Sequence, residues 1–268
     1  MMLFGEHLVV VRGGGDLATG TVYRLQRAGF PTLVLELARP LAIRRTVSVA
    51  SAVIEDHVVV DGLDATRADT IEEAVEVAGT GAIPVLVSPT LPRLTSVPSV
   101  VVDARLAKRN IDTTIDDASF VVGLGPGFTA GNDCHAVIET MRGHDLGRVI
   151  WEGQAAPNTG VPGLVGGRTS ERVVRAEKSG MLSWNASIGD LVVEGDVLGN
   201  ISGTPIRSRL GGVVRGLLAP GYEVEENWKL ADIDPRADTT ACFEISDKSL
   251  AVGGGVVEAV LTWLNSRS

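Results

Sequence analysis

Three consecutive glycines, Gly13, Gly14 and Gly15, follow the apolar run His7–Val11 and precede the helix-patterned stretch TVYRLQRAG. Glycine at such a turn removes the side chains that would keep a phosphate away from backbone N–H groups at a helix start. Gly13, Gly15 and Ala18 fit the G-x-G-x-x-A spacing of a dinucleotide-binding turn, with Asp16 and Thr19 in the same segment. Glu36 ends the next apolar run, TLVLE, where a carboxylate can accept from ribose hydroxyls. The same residues also suit a plain strand-to-helix turn with Glu36 at a solvated strand end, and both readings stay open.

Two basic pairs could bring positive charge to such a turn: Arg44 and Arg45 in AIRRTVSVA, and Lys108 and Arg109 in RLAKRNIDTT. A guanidinium fork binds two oxygens of a phosphate or carboxylate at once, whereas a solvated face is the ordinary setting of such pairs. A second glycine-rich segment, GLGPGFTAGNDCHAVIET, carries Gly123, Gly125, Gly127 and Gly131, with Thr129 as a further donor. Asn132 or Asp133 could cap a helix starting near Cys134, and on it His135 and Glu139 would share a face. That pair lines a site or is satisfied structurally; no third ligand and no HExxH pattern support a metal. Cys134 and His135, as helix neighbours, would point apart and form no nucleophile pair.

The elements that must position these residues follow from periodicity. The amphipathic stretch IEEAVEVAG, with Asp69 or Thr70 as N-cap, is followed by the short β-branched runs IPVLV and SVVVD. Apolar strands alternating with helices predict a Rossmann-like, doubly wound parallel sheet over residues 1–150. In that arrangement Arg12, Glu36, Ser88 and Asp103 cluster at the carboxyl ends of the strands. Both glycine loops then face one pocket at that edge.

From residue 175 onward the chain repeats itself. Arg175, Gly180, Gly189, Val192, Glu194, Leu198 and Ile201 recur as Arg207, Gly212, Gly221, Val224, Glu226, Leu230 and Ile233 at one constant offset. The pattern S-G-x-L, then I-G-D-x-V-x-x-G-D-V-L, resembles the biotinyl/lipoyl carriers and implies a small all-β barrel-sandwich domain over 171–235. Carriers hold their cofactor on a lysine between the halves; here that segment reads SGTPIRS, so no lipoyl or biotinyl group is expected. Residues 151–170, rich in glycine and proline, read as a linker or docking loop. Within 236–268, Val256, Val260 and Leu264 predict a closing helix.

Across 268 residues, 44% hydrophobic and 21% charged content indicates globular domains rather than disorder. A formal charge of −9 argues against a nucleic-acid partner. No apolar run is long enough to span a bilayer, the start lacks a signal-peptide pattern, and two cysteines suit a reducing compartment, so a cytoplasmic location is expected.

Read in order, VRGGGDLATG, AIRRTVS, VVDARLAKRN, GLGPGFTAG, HAVIET, RGHDLGRVI, APNTGVPG and CFEISDKSLAVGGGV resemble the YqeB-type accessory proteins of the selenium-dependent molybdenum hydroxylase system. The resemblance implies a maturation factor for molybdenum hydroxylases, with a hydroxylase client or its maturation machinery as partner. It also implies a nucleotide-bearing ligand such as molybdopterin dinucleotide. It names no catalytic residue, and an NAD-dependent oxidoreductase, a non-catalytic scaffold and a homo-oligomer remain compatible with the sequence.

Overall fold

The computed structural model of the chain describes residues 2–94, 97–160 and 163–267. It divides into two compact units, one of Met1–Pro40, Ser48–Asn158 and Ile245–Ser268, the other of Leu41–Val47 and Thr159–Glu244. The closing segment from Ile245 thus belongs with the N-terminal half, and Arg44 and Arg45 belong with the second unit. The expected linker, 151–170, falls across both units, and its Val161 and Pro162 lie outside the described residues.

The strands of the first unit are β1 (Val9–Arg12), β2 (Thr32–Glu36), β3 (His57–Val60), β4 (Leu63–Ala68), β5 (Ile83–Val87) and β6 (Val100–Asp103). They continue as β7 (Phe120–Leu124), β8 (Thr129–Ala130), β9 (Ala136–Ile138), β10 (Val149–Ile150) and β11 (Gly153–Gln154). Its helices are α1 (Asp16–Ala28), α2 (Ala52–Glu55), α3 (Ile71–Thr80) and α4 (Asp247–Asn265). Nine strands form one sheet in the order β10-β9-β7-β6-β1-β2-β5-β4-β3, and β8 pairs with β11 separately.

This corrects the expected Rossmann-like parallel sheet. The sheet is mixed, because β3 pairs antiparallel with β4 and β10 antiparallel with β9. Two connections also lack the helix that a doubly wound fold requires. Between β6 and β7 lies only the short 3-10 turn Ile115–Asp117, and β7 reaches β9 without any helix. The helix expected from Cys134 is strand β9 instead: Ala136, Val137 and Ile138 are all fully buried, which suits a central strand better than an amphipathic helix.

α4 fills part of the face those connections leave bare. Val9, Val11, Val100, Val102 and Val122 share one core with Val22 and Leu25 of α1 and Val252, Val256 and Val260 of α4. On the opposite face, Val10, Leu33, Val101 and Val121 pack with Ala74 and Ala78 of α3, whose start is capped by Thr70 accepting from the Glu73 N–H. α1 and α4 meet through glycine: a Cβ at Gly20 would collide with Ser249, and one at Gly253 with the Gly20 carbonyl. Ser249 lies beside Asp16 and Gly20, and Gly253 beside Gly20 and Arg24. Contacts advance along both helices together, so they run parallel and their N-termini emerge at one end.

The second unit holds β12 (Val173–Arg175), β13 (Gly180–Trp184), β14 (Leu191–Val192), β15 (Val197–Ile201), β16 (Thr204–Arg207), β17 (Gly212–Leu217), β18 (Glu223–Val224) and β19 (Lys229–Asp234). They form two four-stranded antiparallel sheets, β12-β19-β17-β14 and β16-β15-β13-β18, which corrects the expected lipoyl-like barrel-sandwich to two small antiparallel sheets. The repeat is visible in these orders. β12 to β15 recur as β16 to β19, and each sheet takes its two inner strands from one copy and both edge strands from the other.

Candidate functional site

β1, β2, β5, β6, β7 and β9 are parallel, so Arg12, Glu36, Asp103, Leu124 and Ile138 end at one edge of the large sheet. Arg12 is the register partner of both Asp103 and Leu35, and the Ser88 N–H donates to the Glu36 carbonyl, so the expected strand-end group does assemble. Its side chains, however, mostly bind one another's loops. Arg12 donates to Asp112 at 2.8 and 2.9 Å and to Thr113 at 2.8 Å. Asp103 accepts from Arg105 at 2.6 Å and from the Thr113 hydroxyl at 2.7 Å. Glu36 accepts from the N–H groups of Gly14 and Leu37, each at 2.7 Å. Burial raises its pKa, and those two amides work against the rise.

The first glycine turn is shaped as much by the chain itself as for a ligand. Gly13 has φ +96°, and a Cβ there would press on the backbone of Ala104 and Arg105. Ala50 donates its N–H to the Gly14 carbonyl, and the Thr19 hydroxyl donates to Gly15 while accepting from the Val49 N–H. Thr19 is wholly buried, and Ala18 belongs to the core. Gly15 differs: it is the N-cap of α1 with extended backbone at φ −71°, and a Cβ there would meet nothing within 4 Å. Asp16, next in line, accepts from the Ser249 hydroxyl of α4 at 2.6 Å.

The second glycine segment sits at the same edge, with residues 104–113 between it and the first. Gly125 and Gly127 have φ +75° and +110°; a Cβ at Gly125 would strike the Thr140 hydroxyl, and one at Gly127 the backbone of Arg109. Asn110 donates its N–H to the Gly127 carbonyl. The Thr129 hydroxyl accepts from Gln154 at 2.8 Å. His135 accepts at Nδ1 from the Val121 N–H at 2.9 Å, and burial lowers its pKa, so it acts as a neutral acceptor between β7 and β9. It shares no helix face with Glu139. Lys108, at φ +62°, and Arg109 are exposed on the intervening loop.

Arg44 and Arg45 are fixed inside the second unit. Arg44 donates to the carbonyls of Ala241 and Glu244, and Arg45 to that of Leu217, at 2.8 Å in each closest case. Backbone carbonyls thus take up donors that the sequence suggests for a phosphate.

One residue of this edge has no motif of its own. Lys248 stands in the first turn of α4, half-buried, with no side-chain hydrogen bond or ion pair among the described residues. Burial first, and then Arg142, lower its pKa, while Asp16, Glu139 and Asp247 act in the opposite sense. Those carboxylates have partners already: Glu139 accepts from the N–H groups of Met141 and Ala156, and Asp247 binds the Arg142 fork. The N-termini of two parallel helices, the open approach at Gly15 and the Lys248 ammonium therefore occupy one end of the unit. Helix N-termini and an ammonium together favour an anionic group. The signal in the sequence is the DKS of CFEISDKSL, whose importance depends on a contact with α1 far away in the chain.

This edge can be set beside known proteins. Over 258 residues, 96% of this chain, it is 48% identical to the uncharacterised protein YqeB of Escherichia coli strain K12. The chain is a relative of YqeB. It spans about half of YqeB's length, 48%. This likeness agrees with the resemblance drawn from the motifs, while the role in molybdenum hydroxylase maturation is a separate question. No family model matches the chain. Among solved structures, it is 15% identical to an aspartoacylase family protein from Mesorhizobium loti, covering 85% of this chain and 84% of that one, with a TM-score of 0.28. The ectoine utilization protein EutE of Ruegeria pomeroyi is 11% identical, with 85% of each chain covered and a TM-score of 0.25. A succinylglutamate desuccinylase/aspartoacylase of Rhodobacter sphaeroides is 13% identical, again with 85% of each chain covered and a TM-score of 0.27. No described helix is long and apolar enough to cross a membrane.

Proposed function

We propose that this YqeB relative is a cytoplasmic accessory factor in the maturation of molybdenum hydroxylases and binds an anionic, nucleotide-bearing ligand at the carboxyl edge of the large sheet. The pathway rests on the end-to-end motif resemblance and on the YqeB relationship. The ligand class rests on the approach at Gly15, where the starts of α1 and α4 meet beside Lys248. A molybdopterin dinucleotide carries a pyrophosphate that suits such a place. Gly15 and the first amides of α1 would hold it, Lys248 would balance its charge, and Lys108 would serve a second phosphate oxygen.

Part of the glycine motif is excluded from this role. Gly13, Ala18, Thr19 and Glu36 keep the turn in shape, and Gly125 and Gly127 make room for loops of the same unit. Native mass spectrometry of protein purified from a molybdenum-competent host tests the proposal. The expected result is a bound mass matching a pterin dinucleotide. A bound nicotinamide dinucleotide, or the bare polypeptide from a host with active molybdenum enzymes, would overturn it.

A further inference from the structure

The duplication in the second unit supplies an internal control, since two copies of one four-strand pattern have diverged at matched positions. In the first copy Ser183 and Asn200 are cross-strand partners, and Val197 lies opposite Arg207. At the same offset the second copy places Arg215, Asp232 and Lys229, and Lys229 lies opposite Arg175. Ser202 is matched by Asp234. Neutral residues in one copy have become a charged group in the other.

Most of that group is internally paired. Asp232 accepts from Arg172 at 2.7 Å and from Arg215 at 2.6 and 2.9 Å; Asp234 accepts from Arg236 at 2.6 and 2.9 Å and from Arg215 at 3.4 Å. The two aspartate side chains are 3% and 1% exposed. Arg172 is buried, yet its Nε has no partner among the described residues. Beyond this ladder the balance fails. Arg175 and Lys229 are cross-strand register partners beside a bulge, a like-charge pairing that is normally unfavourable, and one Arg175 nitrogen donates to the Asn227 carbonyl at 2.8 Å. Lys229 is exposed as a residue, so a ligand can reach it, and its side chain has no hydrogen bond or ion pair among the described residues. Desolvation lowers its pKa, Asp232 raises it, and Arg215, Arg172 and Arg175 lower it further. Five basic side chains, Lys229, Arg172, Arg175, Arg215 and Arg236, thus accompany two aspartates, Asp232 and Asp234, in a chain of net charge −9.

The sister copy, with Val197 at the matched place, forms the same strand without a lysine there. We propose that Lys229 and Arg175, backed by Arg172 and Arg215, form an oxyanion site on the second unit that takes a phosphate group. A phosphate dianion would neutralise the opposed ammonium and guanidinium together and accept donors from both. This site is separate from the one on the first unit and does not depend on it.

Pyrophosphate titration by calorimetry, at fixed ionic strength and in the Gly15→Val background, tests it with the first unit's edge blocked. The background protein should bind pyrophosphate, and adding Lys229→Val, the residue of the sister copy, should weaken binding by about tenfold or more. Without ligand, Lys229→Val should raise the Tm, since it removes a like-charge pair. No binding in the background, or binding unchanged by Lys229→Val, would overturn the site. A lowered Tm in the Lys229→Val protein would also count against it, by showing that the lysine stabilises the fold.

Discussion

The Ser249 hydroxyl of α4 donates to the Asp16 carboxylate at the start of α1 at 2.6 Å, joining two helix N-termini that lie more than two hundred residues apart in sequence. Ser249 is fully buried, and it also receives the Ser246 cap through its own N–H. Ser249→Ala should cost about 1.5–3 kcal/mol, the range for a hydrogen bond to a charged group. Gly253→Ala should cost at least about 1–3 kcal/mol, because its Cβ would meet the rigid Gly20 carbonyl. Urea unfolding measures both, and a Gly253→Ala protein as stable as the parent would refute the helix contact.

Cys134 is inaccessible, and burial pushes its thiol up to about 12. Cys242 is buried too, and burial likewise raises its pKa. Neither should react with a disulfide reagent at pH 8 until the protein unfolds. Reaction of native Cys134 at the rate of a free thiol would contradict the placement of β9.

His135 should be neutral with its proton on Nε2, because Nδ1 accepts from the Val121 N–H. Its folded pKa lies below its ordinary 6.5, so the stability it contributes is present above about that pH and is lost as the pH falls through the folded value. Nitrogen NMR of the ring and a stability profile from pH 7 to 5 check both points. His135→Ala should remove that pH response while leaving ligand affinity intact.

The turn joining β15 to β16 runs through Ser202 and Gly203 at positive φ and has no lysine. Expression with active biotinyl and lipoyl ligases should therefore yield only the polypeptide mass. A covalent increment of either group would show that carrier function survives.

Local patterns were readable where local forces decide. The strand read over His7–Val11 forms as Val9–Arg12, the helix read in TVYRLQRAG belongs to α1, which starts earlier at Asp16, the cap read as Asp69 or Thr70 is Thr70, and the repeat of the second unit was legible. The same spacing rules misplaced β9, because Ala136–Ile138 is too short for periodicity to separate a buried strand from a helix. Nor do they show that Ala104–Thr113 runs between the glycine loops without a helix, which is why alternation alone predicts a doubly wound sheet that the chain does not form. At the site, Gly15 was legible as glycine at a helix start. The internal duties of Thr19, Glu36, Arg44 and Arg45 were not, since each binds backbone brought close only by tertiary folding. Lys248 was hidden for the same reason.

For the anionic ligand proposed where α1 and α4 begin together, Gly15→Val is the decisive variant. Gly15 has unstrained backbone, and its Cβ position is open, so the variant should fold with a Tm near that of the parent. Titration of the ligand recovered from the native protein should show affinity for Gly15→Val weakened by about a hundredfold, since the branched side chain fills the phosphate's approach. Lys248→Met should weaken it by about tenfold through loss of the ammonium. A folded Gly15→Val protein that binds as tightly as the parent would rule out the proposed site.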